Sequence, residues 1–96
     1  MKIKLETQLE TAVLKLEGRL DTITAPELEK SIKDVTYKNL VLDIERLDYI
    51  SSAGLRVILG AHKQFVKVGS FKIINTKPEI LDIFEMTGFA DILDIQ

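Results

Sequence analysis

Residues 39–59 read N-L-V-L-D-I-E-R-L-D-Y-I-S-S-A-G-L-R-V-I-L. The stretch opens on N-L-V-L-D-I, nearly all apolar and rich in branched side chains, which suits a strand buried on both faces in the middle of a sheet. It then runs into a helical pattern. From Ala53 to Val66 the positions Leu55, Ile58, Leu59, His62, Phe65 and Val66 fall on one stripe, with Arg56, Lys63 and Lys67 elsewhere, and Gly69-Ser70 supplies the stop. Between strand and helix stand two adjacent hydroxyls, Ser51 and Ser52.

Outward from this junction the same alternation of periods continues. Residues 2–8 alternate polar and apolar with Ile3 and Leu5 on one face. In residues 11–17, Ala12, Leu14 and Leu16 share one face and Val13, Lys15 and Glu17 the other, so the chain opens on an antiparallel hairpin. Thr24 followed by Glu27 forms a capping-box pattern, with Pro26 tolerated in the first turn, and Leu28, Ile32 and Val35 give the helical stripe. Beyond residue 69, F-K-I-I-N reads as a short strand, and Thr76-Lys77-Pro78-Glu79 repeats the capping logic before Ile80, Leu81, Ile83 and Phe84. Gly88 ends that helix, and D-I-L-D-I predicts a last short edge strand. The order β-β-α-β-α-β-α-β places the chain in the α/β class. It predicts a mixed sheet, an N-terminal hairpin followed by βαβ units, with the helices packed mainly on one side.

Bulk properties narrow the function. The chain has 96 residues, which points to one domain spanning 1–96. Apolar residues make up 46% and charged residues 29%, neither a disordered tail nor a membrane span. There is no secretory signal and no cysteine, hence no disulfide framework, and the cytoplasm is the expected compartment. A net charge of -2, dispersed basic residues and 6% aromatics argue against a nucleic-acid partner.

Catalytic readings fit poorly. A nucleophilic serine needs a positioned base, and the one histidine, His62, lies ten residues beyond Ser52, about 15 Å along the same helix. It also sits on the apolar stripe, as a core-edge histidine with one satisfied nitrogen would. The serine-elbow pattern G-x-S-x-G is absent, as is a P-loop. Asp43, Glu45 and Asp48 read as a solvated acidic turn, and Asp21 and Asp48 form a catalytic pair only if the fold joins them in a cleft. The serine pair therefore reads as a helix cap, as a phosphate acceptor at the positive end of the helix dipole, or as both. The small Ala53 and Gly54 leave that helix end open to a partner.

G-R-L-D-T-I-T-A-P-E-L, L-V-L-D-I-E-R-L-D-Y-I-S-S-A-G-L-R-V-I-L, F-K-I-I-N and I-L-D-I-F-E-M-T-G-F, in that order, resemble the STAS domain family and within it the bacterial anti-sigma factor antagonists. The resemblance covers essentially the whole chain. It implies a regulatory binding protein without a cofactor or catalysis of its own. The implied partners are a serine kinase that doubles as anti-sigma factor, and a PP2C-type phosphatase that reverses the kinase's modification. In the family pattern D-S-[ST]-G-L the first serine is modified, which corresponds to Ser52. Ser51 then stands where the aspartate usually is, and Ala53 where a second hydroxyl often is. The implied partner surface comprises Asp21, Thr22, Ser51, Ser52, Ala53 and Gly54. Many members continue into a further C-terminal helix, which the 96 residues do not include. The other role the resemblance implies is a STAS interaction subunit of a signalling or lipid-transport assembly that is not phosphorylated.

Overall fold

In the computed structural model, which describes residues 1–96, alternating residues at the N-terminus form the expected hairpin. Strand β1 (Lys2–Gln8) pairs antiparallel with β2 (Thr11–Leu20), placing Leu5 opposite Leu14. Helix α1 (Ala25–Lys33) crosses to β3 (Asn39–Ile50), and α2 (Ser52–Phe65) crosses to β4 (Ser70–Ile74). Both crossovers join parallel neighbours, so the sheet order is β1-β2-β3-β4 with one antiparallel pair and two parallel ones. Helix α3 (Pro78–Met86) and a short 3-10 turn (Phe89–Asp91) complete the chain.

One face of the sheet carries the core. Leu14 and Leu16 of β2, Leu40 and Leu42 of β3, and Phe71 and Ile73 of β4 join buried residues of all three helices in a single cluster. The opposite face has no helix: Lys15, Glu17, Glu45 and Lys72 are exposed there. This corrects the expectation that β3 is buried on both faces. Val41 and Asp43 are only half-buried, because a single helical layer covers one side and their remaining shelter comes from the flanking strands.

Strand β3 changes period midway. Its inward residues run Leu40, Leu42, Ile44 and then Leu47, Ile50, a step of two giving way to a step of three. Two register shifts against β2 account for this: Asp43 and Arg46 face Lys15 and Glu17, while Leu47 and Tyr49 face Gly18 and Arg19. Each shift inserts an extra β3 residue, a bulge that turns the strand and keeps an apolar side chain inward. The twist carries the end of β3 into α2.

The terminal D-I-L-D-I segment differs from the expected strand. After Gly88, at a left-handed φ of 82°, the chain makes the 3-10 turn and meets β4 at one parallel bridge, Ile73 to Ile95. The Ile73 amide donates to Asp94 O and the Gln96 amide to Ile73 O, so only the last residues lie along the edge. Helix α2 also ends one residue earlier than its apolar stripe, at Phe65, leaving Val66 exposed. Gly69 follows because a side chain there would run into the carbonyl of Lys38. No helix is long and apolar enough to cross a membrane.

Candidate functional site

Parallel pairing brings the C-terminal ends of β2 and β3 together, with Leu20 beside Ile50. The loop after β2 and the start of α2 therefore share one end of the sheet. A direct bond fastens them: the Ser51 amide donates to Leu20 O at 2.9 Å.

The two serines divide the work. Ser51, in extended conformation (φ -99°, ψ 173°), is the N-cap of α2, and its Oγ accepts from the Gly54 amide at 3.3 Å. Ser52 is the first helical residue and is exposed, with no hydrogen bond to its hydroxyl. Ala53 beside it is half-buried. Gly54 is buried, and its missing side chain has an interior cause: a Cβ there would sit 2.6 Å from Leu20 Cγ and 3.1 Å from Ile50 Cγ1. The glycine lets the helix start lie directly on the two strand ends, so it supports the surface from beneath and does not open it outward.

Asp21 holds the neighbouring loop. Its Oδ1 accepts from the amides of Ile23 and Thr24, both at 3.0 Å. The Asp21 amide donates to Thr24 Oγ1 at 2.8 Å, and that hydroxyl donates to Arg19 O at 2.7 Å. This replaces the expected capping box. Thr24 occupies the N-cap of α1 but makes no side-chain cap bond, since its hydroxyl is already engaged by Asp21 and Arg19. The Asp21 carboxyl is held below its ordinary pKa, first by the Thr24 amide, and, against an opposing desolvation second only to that amide, by the Ile23 amide, the Thr24 hydroxyl and the Arg19 guanidinium. Arg19 lies 3.8 Å from Asp21 and stacks 4.2 Å above the Tyr49 ring. The locked loop presents Thr22 and Ile23 to solvent, Ile23 at 85% exposure.

Asp21, Thr22, Ser51, Ser52 and Ala53 thus meet on one surface, with Gly54 below. A shallow groove of about 320 Å³ continues from it between α1 and α2, with Thr22, Ala25, Ala53 and Arg56 in its walls. Sequence reasoning did not pick out Arg19, Tyr49 or Ile23. The capping pattern pointed to Thr24 for a different bond, and no local spacing links Arg19 to Tyr49 across two strands.

The other candidates are engaged elsewhere. Asp48 pairs with Lys77, the residue before α3, at 2.9 Å, and Asp43 accepts from the Glu45 amide and Asn75, each at 3.1 Å. No cluster of side chains able to hold a metal forms. His62 packs edge-on to Phe71 at the edge of the core, and its buried Nδ1 has no partner. The second capping pattern likewise fails: Lys77 is the N-cap of α3 without a side-chain bond, and the Thr76 hydroxyl is buried and unpaired. Pro78 at the first turn leaves fewer orphan amides to cap.

The STAS domain family model matches residues 2–96. The chain belongs to the STAS domain family. BtrV of Bordetella bronchiseptica, a proposed anti-sigma factor antagonist, is 39% identical over 84 residues, covering 83% of this chain and 72% of that one. The anti-sigma-B factor antagonist of Bacillus subtilis is 30% identical over 83 residues, covering 83% and 76%. Among solved structures, the anti-sigma factor antagonist SpoIIAA of Bacillus superposes in its unphosphorylated form with a TM-score of 0.81, at 21% identity, over 99% of this chain and 88% of that one. Its phosphorylated form gives 0.77 at 23% identity, over 99% and 91%. These STAS domains share the mixed sheet and one-sided helices described above.

Proposed function

We propose that this STAS domain is an anti-sigma factor antagonist that binds an anti-sigma factor with serine kinase activity, and that phosphorylation of Ser52 switches it off. It acts as a binding protein in the cytoplasm, without catalysis of its own, and a PP2C-type phosphatase resets it. The names of its relatives support the antagonist role. The observation that carries the switch is the division between the serines: Ser51 is spent on the cap, while Ser52 offers an exposed hydroxyl on the first helical residue, beside the loop locked by Asp21.

The mechanism is electrostatic. Transfer of the γ-phosphoryl group of ATP to Ser52 Oγ, with ADP leaving and the hydroxyl proton lost, adds a charge of about -1.5 to -2 at the centre of the proposed contact surface. A partner that packs on Ala53 and Thr22 must then desolvate that charge, and binding is lost. The helix itself tolerates the phosphate, which faces the positive end of the α2 dipole.

Incubation with ATP and the anti-sigma factor kinase from the same genome, followed by mapping of phosphate by mass spectrometry, tests the reading. Modification at Ser52, and resistance of Ser52→Ala to inactivation by ATP, are the expected results. An unmodified Ser52 overturns the switch. A Ser52→Asp variant that binds its partner as tightly as wild type assigns the chain instead to the non-phosphorylated interaction subunits.

A further inference from the structure

Arg56 follows Ser52 by four residues on α2, one helical turn on and on the same face. It is exposed, and it stands apart from the other arginines: Arg19 is held by Asp21 and Tyr49 and Arg46 pairs with Glu17, whereas no carboxylate lies within ion-pair distance of Arg56. Glu29 shares the groove with it, but its carboxylate is turned to Lys33 at 3.8 Å. An unpaired guanidinium thus sits one turn beyond an exposed hydroxyl.

We infer that Arg56 is the cation that holds the phosphate of modified Ser52. The inference rests on Ser52 being the acceptor. An anion N-terminal to a cation at i, i+4 is the favourable order on a helix, and the phosphate would also lie at the positive end of the α2 dipole. The planar guanidinium also matches phosphate oxygens in two-pronged fashion. Phosphorylation then alters two features of the partner surface together. The Ser52 hydroxyl becomes an anion, and Arg56, free to meet a partner carboxylate in the unmodified protein, is drawn back over the first turn. The phosphate is fixed in one place by its own helix.

The test separates this pairing from the identity of the acceptor. Phosphoserine is placed at position 52 by amber suppression, so that no kinase is needed, in the wild-type chain and in Arg56→Gln and Arg56→Lys. The second ionisation of the phosphate is followed by phosphorus NMR across pH at low and high salt. A neighbouring cation favours the dianion, so the wild-type midpoint is expected to lie lower than that of Arg56→Gln by roughly 0.3 units, the size an exposed i, i+4 pair supports. Arg56→Lys should fall between them, and salt should shrink the difference. Coincident midpoints for wild type and Arg56→Gln at low salt overturn the inference. Kinase mapping that leaves Ser52 unmodified overturns the acceptor, while the midpoints still decide whether the pair forms.

Discussion

Leu20 and Gly54 meet where the second strand ends and α2 begins, and the fully buried Leu20 side chain fills the space a Cβ on Gly54 would need, 2.6 Å from Leu20 Cγ. Through this contact the serine-bearing helix start rests on the sheet.

Opposite signs are expected for one substitution at two glycines of the same helix. Gly54→Ala overpacks a closed site and should lower stability by about 1–3 kcal/mol despite its gain in helix propensity. Gly60→Ala, where a Cβ meets nothing within 4 Å, should raise it by about 0.5–1 kcal/mol. Urea unfolding of the two variants checks the contrast. Leu20→Ala combined with Gly54→Ala should cost less than the sum of the single changes, because Leu20→Ala removes the atoms that the new Cβ at position 54 strikes.

The serine pair should separate by stability. Ser51→Ala removes the cap and should cost about 0.5–1 kcal/mol, the lower part of the usual range because the bond to Gly54 is long at 3.3 Å. Ser52→Ala should stay within about 0.5 kcal/mol of wild type, since its hydroxyl bonds nothing. Ser51→Asp puts a charged cap at the positive helix end and should regain the loss or exceed wild type by a few tenths of a kcal/mol, roughly. Thermal unfolding of the three variants tests the division of roles.

Acid should loosen the loop after β2. The Asp21 carboxyl has a folded pKa below its unfolded value, so the stability it contributes is complete above the unfolded value and is lost as pH falls through the folded one. Asp21→Asn should therefore be less stable than wild type at neutral pH, and the gap should close at acid pH. Denaturant midpoints across that range measure it. A gap independent of pH would show that the carboxylate charge contributes nothing to holding Ile23 and Thr24.

The Asp48–Lys77 pair, although short at 2.9 Å, joins an aspartate that is 69% exposed to a lysine that is 32% exposed. Lys77→Ala should change stability by no more than about 1 kcal/mol, with an effect that fades as salt is added. Denaturation with and without added salt distinguishes this from a packing role for the lysine stem.

Local pattern was enough to read the hairpin, the three helices, their order and the one-sided packing. Alternation in β2 and stripes such as Leu28, Ile32 and Val35 are properties of neighbouring residues, and each states which face is apolar. The serine pair at a strand-to-helix junction was legible for the same reason. What tertiary structure decided is where pairing partners are distant or compete. Thr24 looks like a cap in sequence, but Asp21 and Arg19 take its hydroxyl once the β2 end is in place. The run Leu40 to Ile44 reads as doubly buried, yet one layer of helices covers only one face. D-I-L-D-I reads as a strand, yet the turn at Gly88 leaves only its last residues alongside β4. Sequence by itself determined that a small residue follows the serines. Only the parallel pairing of β2 and β3, which sets Leu20 and Ile50 beneath position 54, made that residue a glycine for reasons of space.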